Sequence, residues 1–326
     1  MSVGKVTQEM IDSVVNRRSF LTGAGAIGIG AAAATLIGCS NYNSSMSGGT
    51  TVMASGSTDT ATQIFTAALI AEDLAITTYY NALIGAVIKD PNLANGGTAV
   101  NVSAGGSVVN VAYLQAALLE EVQHAQLLRT LLGLSPSGSG DVAAGVPATF
   151  YYPTGTFDTL TNFVPVLLAL ETAFVGAYMT AVEEFASMAA GYNGFSSTQA
   201  NPAMSGSNYT QADLILYAKV AASILGVEAE HRALIRAIPS VTIGSPTIGT
   251  TNVLPANNVN YESQAGLTGL IVGVGGSSTT AAAALAPFLA ASSAQSAGFS
   301  FTTANSGFSS VITAGVTTTG SIPSAE

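Results

Sequence analysis

The sequence predicts an all-α fold: a bundle of four helices with one long crossover, followed by a C-terminal extension of mixed, irregular structure. Four long stretches carry apolar residues at the three- and four-residue steps of one helical face, at about 63–87, 114–129, 160–189 and 217–238. The connection at 134–158 contains three prolines and several glycines, so it cannot be helical throughout. From residue 241 onward, the chain is rich in Thr, Gly, Pro and Ala, and the helical spacing of apolar residues is lost.

Four segments are expected along the chain. Residues 1–38 fit a signal peptide, 39–58 a flexible polar tether, 59–240 the helical bundle, and 241–326 an extension that packs on the bundle. Within the extension, 241–259 is expected to be extended, and short helices are expected at 265–274 and 280–292. Residues 299–320 fit either a strand or a disordered tail.

The first 38 residues have the pattern of an export signal. Residues 17–21 (RRSFL) form a twin-arginine motif, which a Gly- and Ala-rich apolar run follows. That run is short and weak for a membrane-spanning helix. Residues 36–39 (LIGC) match the lipobox of bacterial lipoproteins, in which the cysteine is lipidated and becomes the N-terminus. We therefore expect twin-arginine export and a periplasmic or cell-surface protein that a lipid on Cys39 anchors to the membrane.

The composition fits an exported, acidic protein. The whole chain has 8 basic and 18 acidic residues; without residues 1–38, which hold three basic and two acidic ones, 5 and 16 remain, a net charge of −11. So few basic residues make nucleic-acid binding unexpected. Cys39 is the only cysteine, so no disulfide can form within the chain.

Both histidines of the chain follow a glutamate by three positions in a predicted helix. The pairs are Glu121/His124 and Glu228/His231. This spacing sets a carboxylate and an imidazole side by side, one turn apart, where they can hold one metal ion or bridge two. For either motif alone, a hydrogen-bonded Glu–His pair without metal is the alternative. Because the same spacing occurs at both histidines, a shared role for the two pairs is favoured.

The other two helices each carry a glutamate seven residues before a tyrosine, as Glu72/Tyr79 and Glu171/Tyr178. Seven residues is nearly two turns, so each pair shares a helical face. The tyrosines are candidates for a catalytic role beside the glutamates, and core filling with a satisfied hydroxyl is the alternative. An unpaired carboxylate on an apolar face would cost several kcal/mol to bury, whereas two divalent cations would neutralise four of them. The sequence thus predicts a dinuclear metal site with six ligands: Glu72, Glu121, His124, Glu171, Glu228 and His231.

The sequence resembles the ferritin-like family that includes the plant desiccation-related proteins and many exported bacterial relatives. The likeness covers roughly 60–300, and besides the glutamates and histidines it includes 150–157 (FYYPTGTF) and 255–258 (PANN). Rubrerythrins and bacterioferritins are more distant analogues with the same double Glu-x-x-His. The resemblance implies a ferritin-like bundle around two metal ions. Dimanganese catalases usually lack the glutamate in the last helix, so Glu228 favours iron over manganese.

The favoured function is an exported di-iron oxidase or peroxidase that oxidises ferrous iron or reduces dioxygen or hydrogen peroxide. One alternative is a structural or stress-protective surface protein in which the metals only hold the bundle together. A further alternative is a dimanganese catalase-like activity. The sequence leaves open how the six ligands divide between the two metals, and a homo-oligomer is compatible with it.

Overall fold

The computed structural model of the chain describes residues 59–138, 145–191, 199–204, 206–238, 261–267, 269–271, 280–295, 297–320 and 323. Three sequence predictions lie outside the described residues: the export signal, the tether with Cys39, and the extended segment 241–259. The described part of the chain is mostly helical, with one small two-stranded sheet.

Four long helices form the main body. They are α1 (Ala61–Ile84), α2 (Val108–Leu131), α3 (Leu160–Ala189) and α4 (Gln211–Ala237), with a 3-10 turn at Val87–Lys89. The short elements are β1 (Thr149–Tyr152), α5 (Ala281–Leu289), β2 (Ala297–Ser300), α6 (Phe301–Gly307) and a 3-10 turn at Phe308–Val311.

The bounds of α3 agree with the prediction, whereas α2 and α4 begin earlier than predicted, at 108 and 211 rather than 114 and 217. Each begins at a polar N-cap. The Ser107 side chain accepts a hydrogen bond from the Asn110 amide, and Thr210 forms a capping box with Asp213. The first turns of both helices are largely exposed, so their residues do not follow the apolar pattern. The pattern therefore predicts only the later, buried turns.

Pairs of side-chain contacts fix the direction of each long helix relative to α4. The contacts are Phe65–Tyr217 and Tyr79–His231 for α1, Glu120–His231 and His124–Glu228 for α2, and Phe185–Tyr217 and Glu171–His231 for α3. For α1, the residue numbers of the contacts rise along α1 and along α4 together, so the two helices are parallel. For α2 and α3, the residue numbers rise along the helix as they fall along α4, so these two helices are antiparallel to α4. Since α2 and α3 point the same way, the connection between them must cross the length of the helical body.

That connection contains β1, which pairs antiparallel with β2 from the C-terminal part of the chain. Further along, the Gln115 amide of α2 donates to the carbonyl oxygens of Ala99 at 3.0 Å and Val311 at 2.6 Å. Gly307 lies so close to Tyr80 of α1 that a Cβ there would be 2.4 Å from the tyrosine hydroxyl. The C-terminal elements therefore pack directly on α1 and α2.

Three predictions for the extension have different outcomes. The helix predicted at 280–292 is present as α5. The helix predicted at 265–274 is not formed in the described residues there, which are turns, bends and an isolated bridge from Gly269 to Thr280. For 299–320, neither a strand nor a disordered tail describes the whole segment. Its first two residues are the end of β2, and α6 and a 3-10 turn follow. Phe301 and Ala304 are buried, so packing supports this short helix.

Within the described residues, α3 is the one helix long and apolar enough to cross a membrane by length and composition. In its most apolar window, 72% of the residues are buried inside the protein. Pro165 lies in the second turn of α3, and the helix continues past it. The apolar character of α3 is that of a core helix, which packs closely against α4.

Candidate metal centre

The four long helices bring the six predicted side chains together in the interior. The four glutamates and His231 are at most 2% exposed, and the His124 side chain is 13% exposed. The residues form two groups, and within each group one ligand atom per residue lies within 4.8 Å of the others. The first group is Glu72, Glu121, His124 and Glu228; the second is Glu121, Glu171, Glu228 and His231.

Glu121 and Glu228 belong to both groups, and their two oxygens face different histidines. From His124 Nδ1, Glu121 Oε2 and Glu228 Oε1 are each 3.4 Å away. From His231 Nδ1, Glu121 Oε1 is 3.2 Å away and Glu228 Oε2 is 3.7 Å away. The two carboxylates therefore lie between the histidines, as groups shared by two cations would.

Glu72 and Glu171 each belong to one group. Glu72 Oε2 is 3.4 Å from His124 Nδ1, and Glu171 Oε2 is 3.8 Å from His231 Nδ1. Each group thus has one histidine, one glutamate of its own and two shared glutamates. The structure supplies the division of side chains that the spacing in the sequence left open.

The carboxylates and imidazoles approach one another without hydrogen-bond geometry. Eight of their buried atoms have no hydrogen-bond partner: Glu72 Oε2, Glu121 Oε1 and Oε2, His124 Nδ1, Glu171 Oε2, Glu228 Oε1 and Oε2, and His231 Nδ1. Buried polar atoms nearly always have a partner, so a cluster of this kind requires a reason. Each group contains four of the eight atoms, which are one histidine nitrogen and three carboxylate oxygens. Carboxylate oxygens and imidazole nitrogens are common ligands of divalent cations, so each group could hold one metal ion.

The two tyrosines hold the glutamates that are not shared. The Tyr79 hydroxyl on α1 donates to Glu171 Oε1 on α3 at 2.6 Å, and the Tyr178 hydroxyl on α3 donates to Glu72 Oε1 on α1. Burial raises the pKa of both hydroxyls, and the nearby carboxylates raise it further, so both tyrosines remain protonated donors. Each hydrogen bond occupies one carboxylate oxygen and leaves the other facing a histidine. The tyrosines therefore orient the cluster and do more than fill the core.

The ionisation of the cluster is strongly perturbed. Burial raises the pKa of Glu72 and Glu171, and neighbouring carboxylates raise it further. Burial would also raise the pKa of Glu121, but close contacts with Glu72 and both histidines lower it below its usual range. Burial lowers the pKa of each imidazole, but the facing carboxylates outweigh this effect and raise the pKa of both. A cation that bound to this cluster would therefore compete with protons for the same atoms.

Two features of the site were not predicted from the sequence. Glu120 Oε2 lies 2.8 Å from His231 Nε2, on the side of the ring away from the cluster. Beside the site, Arg129 Nη2 donates to both carboxylate oxygens of Asp73 at 2.8 and 2.9 Å, and this ion pair is buried. The helical step from Glu121 through Ala125 to Arg129 could have identified the arginine as interior. Glu120 lies about 100° around the helix from Glu121, so the same argument placed it outside.

A small, mainly apolar recess lies between α2 and α4, beside His231 of the second group. Tyr113 and Leu114 line it from α2, and Leu234 and Ile235 line it from α4. His231 and Tyr79 also line it.

Comparison of the chain with protein-family models, with curated proteins and with solved structures found no match. The family resemblance therefore depends on the motifs of the sequence and on the geometry of this site. The structure shows a mostly helical chain with a buried cluster of carboxylates and imidazoles within metal-binding distance of one another.

Proposed function

We propose that this chain is a ferritin-like protein that holds two divalent cations, one at each group of side chains. Iron is the favoured metal, and manganese is the alternative. The observation that carries the proposal is the set of eight buried atoms without hydrogen-bond partners, which comprise one histidine nitrogen and three carboxylate oxygens in each group. The helix directions support the fold assignment, because ferritin-like bundles have one long crossover connection.

Each residue has a defined part in this proposal. Glu72 and His124 hold one cation, Glu171 and His231 hold the other, and Glu121 and Glu228 are shared between them. Four carboxylates carry four negative charges, which two divalent cations neutralise. Tyr79 and Tyr178 would keep the two outer carboxylates in place while the cations bind or leave.

A pair of bound ferrous ions would supply two electrons, one from each ion, to dioxygen or hydrogen peroxide. The protein's own contribution is to exclude bulk water, since the four glutamates and His231 are at most 2% exposed. The small apolar recess that His231 and Tyr79 help to line suits a small neutral oxidant better than a large anionic substrate. We therefore propose that the protein oxidises ferrous iron or reduces dioxygen or hydrogen peroxide.

Anaerobic loading with ferrous iron, followed by stopped-flow mixing with dioxygen or hydrogen peroxide, tests this function. Each chain should bind two irons and oxidise both in one fast phase. Glu72→Ala and Glu171→Ala should each abolish the fast phase. Glu230→Ala should not, because Glu230 is exposed on the same helix as Glu228 and His231.

Other results would select the alternatives. Two bound metals that react with neither oxidant would indicate that the cations only stabilise the fold, as in a structural or stress-protective protein. Release of oxygen from hydrogen peroxide by the manganese-loaded protein would indicate a dimanganese catalase-like activity. A protein that binds no metal pair would rule out the assignment of the site.

We also propose that the protein is exported by the twin-arginine route and anchored through Cys39, as the motifs at 17–21 and 36–39 indicate. Replacement of Arg17 and Arg18 by lysine should keep the precursor in the cytoplasm. Cys39→Ser should release the exported protein from the membrane fraction, because one lipid anchor would be lost. Labelled palmitate should enter the wild-type protein and not the Cys39→Ser variant, and its absence from the wild type would show that the protein is not a lipoprotein.

A further inference from the structure

The two groups of side chains are not equivalent at their histidines. His231 Nδ1 faces the cluster, while His231 Nε2 lies 2.8 Å from Glu120 Oε2. The Tyr79 ring also packs edge-on against the His231 ring, with the ring centroids 5.9 Å apart. His124 has the same inward Nδ1, but no side-chain carboxylate of the described residues is bonded to its Nε2, and its side chain is 13% exposed.

The sequence explains this difference. The two Glu-x-x-His segments align as EEVQH at 120–124 and VEAEH at 227–231. The shared glutamates Glu121 and Glu228 are equivalent, but the residue before each is Glu120 in the first segment and Val227 in the second. A valine has no hydrogen-bonding side chain, so this position can provide a carboxylate to Nε2 of the other helix's histidine only in the first segment.

We propose that Glu120 is a positioning residue that makes the two cation positions unequal, so that the Glu171/His231 position binds its cation more tightly than the Glu72/His124 position. This inference rests on the proposed dinuclear site. An imidazole that binds a cation through Nδ1 carries its proton on Nε2, and Glu120 accepts a hydrogen bond from that N–H. The carboxylate thereby fixes the tautomer and rotation of the ring and makes Nδ1 a stronger ligand.

The burial of the two partners favours this role. His231 is fully shielded, whereas the Glu120 side chain is 32% exposed. The glutamate therefore retains contact with water while it reaches the buried ring. Because Glu120 does not itself face the cluster, it does not compete with the histidine for the cation.

Titration of the metal-free protein with Zn²⁺ against a chromophoric chelator tests the inference, since Zn²⁺ is diamagnetic and redox-inert. The wild type should bind two Zn²⁺ in two resolved steps. Glu120→Ala should weaken the tighter step by about 10- to 100-fold, the usual effect of losing such a partner, and leave the weaker step unchanged. Glu120→Gln should have a smaller effect, because its amide oxygen still accepts a hydrogen bond without the charge.

A second readout follows the histidines directly. The chain has only two histidines, so ¹⁵N-histidine labelling gives two ring spin systems in the Zn²⁺ form. The Nε2–H of His231 should be observable and slow to exchange in the wild type. It should shift or disappear in Glu120→Ala while the His124 signals stay unchanged. Glu230→Gln, which removes an exposed carboxylate from α4, should change neither the spectrum nor the affinities.

The outcomes separate the two proposals. A wild-type protein that binds no pair of Zn²⁺ would remove the dinuclear site itself. Two Zn²⁺ bound, with both steps and the His231 signals unaltered in Glu120→Ala, would overturn the role of Glu120 and leave the dinuclear site standing. If the alanine variant fails to fold by circular dichroism, the isosteric Glu120→Gln variant decides the matter by the same two measurements.

Discussion

At the scale of single residues, the cluster depends on hydrogen bonds that cross between helices. Tyr79 of α1 reaches Glu171 of α3, and Tyr178 of α3 reaches Glu72 of α1. The two bonds are reciprocal, so each outer glutamate is held by the helix that carries the other one. A change at either tyrosine therefore affects the opposite group.

Tyr79→Phe should lower the free energy of unfolding by about 1–3 kcal/mol, because a buried carboxylate oxygen of Glu171 loses its donor. The oxygen of Glu171 that is proposed to bind metal, Oε2, is not the one bonded to the tyrosine, so two metals should still bind. Urea unfolding gives the first quantity and elemental analysis the second. Tyr217→Phe is the control, since its hydroxyl has only a 3.4 Å contact with the Asn201 amide. Loss of metal from Tyr79→Phe would mean that the hydroxyl does more than orient the carboxylate.

The buried pair Asp73–Arg129 gives a second prediction at this scale. Arg129 also lies 5.2 Å from the centre of the Phe301 ring, so it connects α1, α2 and α6. Asp73→Ala should destabilise the protein by about 3–5 kcal/mol, because it removes one member of a buried, hydrogen-bonded ion pair. The double variant Asp73→Ala/Arg129→Met should be the more stable of the two, since it removes both charges. Urea unfolding of both variants checks the order, and the reverse order would contradict the argument.

At the scale of elements, the sequence predicts what repeats with the helical period. All four long helices were found because apolar residues recur along them, and α3, which is apolar over most of its length, agreed at both ends. The early turns of α2 and α4 were missed because their positions depend on the caps Ser107 and Thr210 and not on burial. Helix α6 was missed because FTTANSG contains weak helix formers and depends on tertiary packing.

Two glycines within long helices provide a matched test of packing between elements. A Cβ at Gly176 of α3 would lie 2.8 Å from the carbonyl oxygen of Gln264, whereas a Cβ at Gly226 of α4 would meet nothing within 4 Å. Gly176→Ala should destabilise the fold by about 1–3 kcal/mol through overpacking. Gly226→Ala should stabilise it by about 0.5–1 kcal/mol, because alanine is the better helix former. The urea midpoints of the two variants should move in opposite directions, and a shift in the same direction would show that the 261–267 segment does not pack on α3 as described.

At the scale of the whole molecule, the spacing along the sequence identified six side chains that the structure brings together. Their spacing within each helix is local, so it can be read from the sequence. Their division into two groups depends on how four helices are rotated about their axes and on the rotamers of Glu121 and Glu228, which local spacing does not determine. Glu120 was missed for the same reason, because its partner His231 is 111 residues away along the chain.

Cation binding should stabilise the whole fold, because the cluster spans all four long helices and an unfolded chain cannot assemble it. When Mn²⁺, or Fe²⁺ under anaerobic conditions, is restored to chelated protein, the melting temperature should rise. Each site should contribute about 2.7 kcal/mol at a free metal concentration 100 times its Kd.

Glu121→Ala should reduce the rise in melting temperature most, because Glu121 belongs to both groups, and His231→Ala should reduce it through one group. Glu230→Ala is the control, since Glu230 is exposed on α4 and belongs to neither group. Differential scanning calorimetry of the four proteins, each with and without metal, measures the effect. An equal rise in all of them would place the stabilising cations away from this cluster.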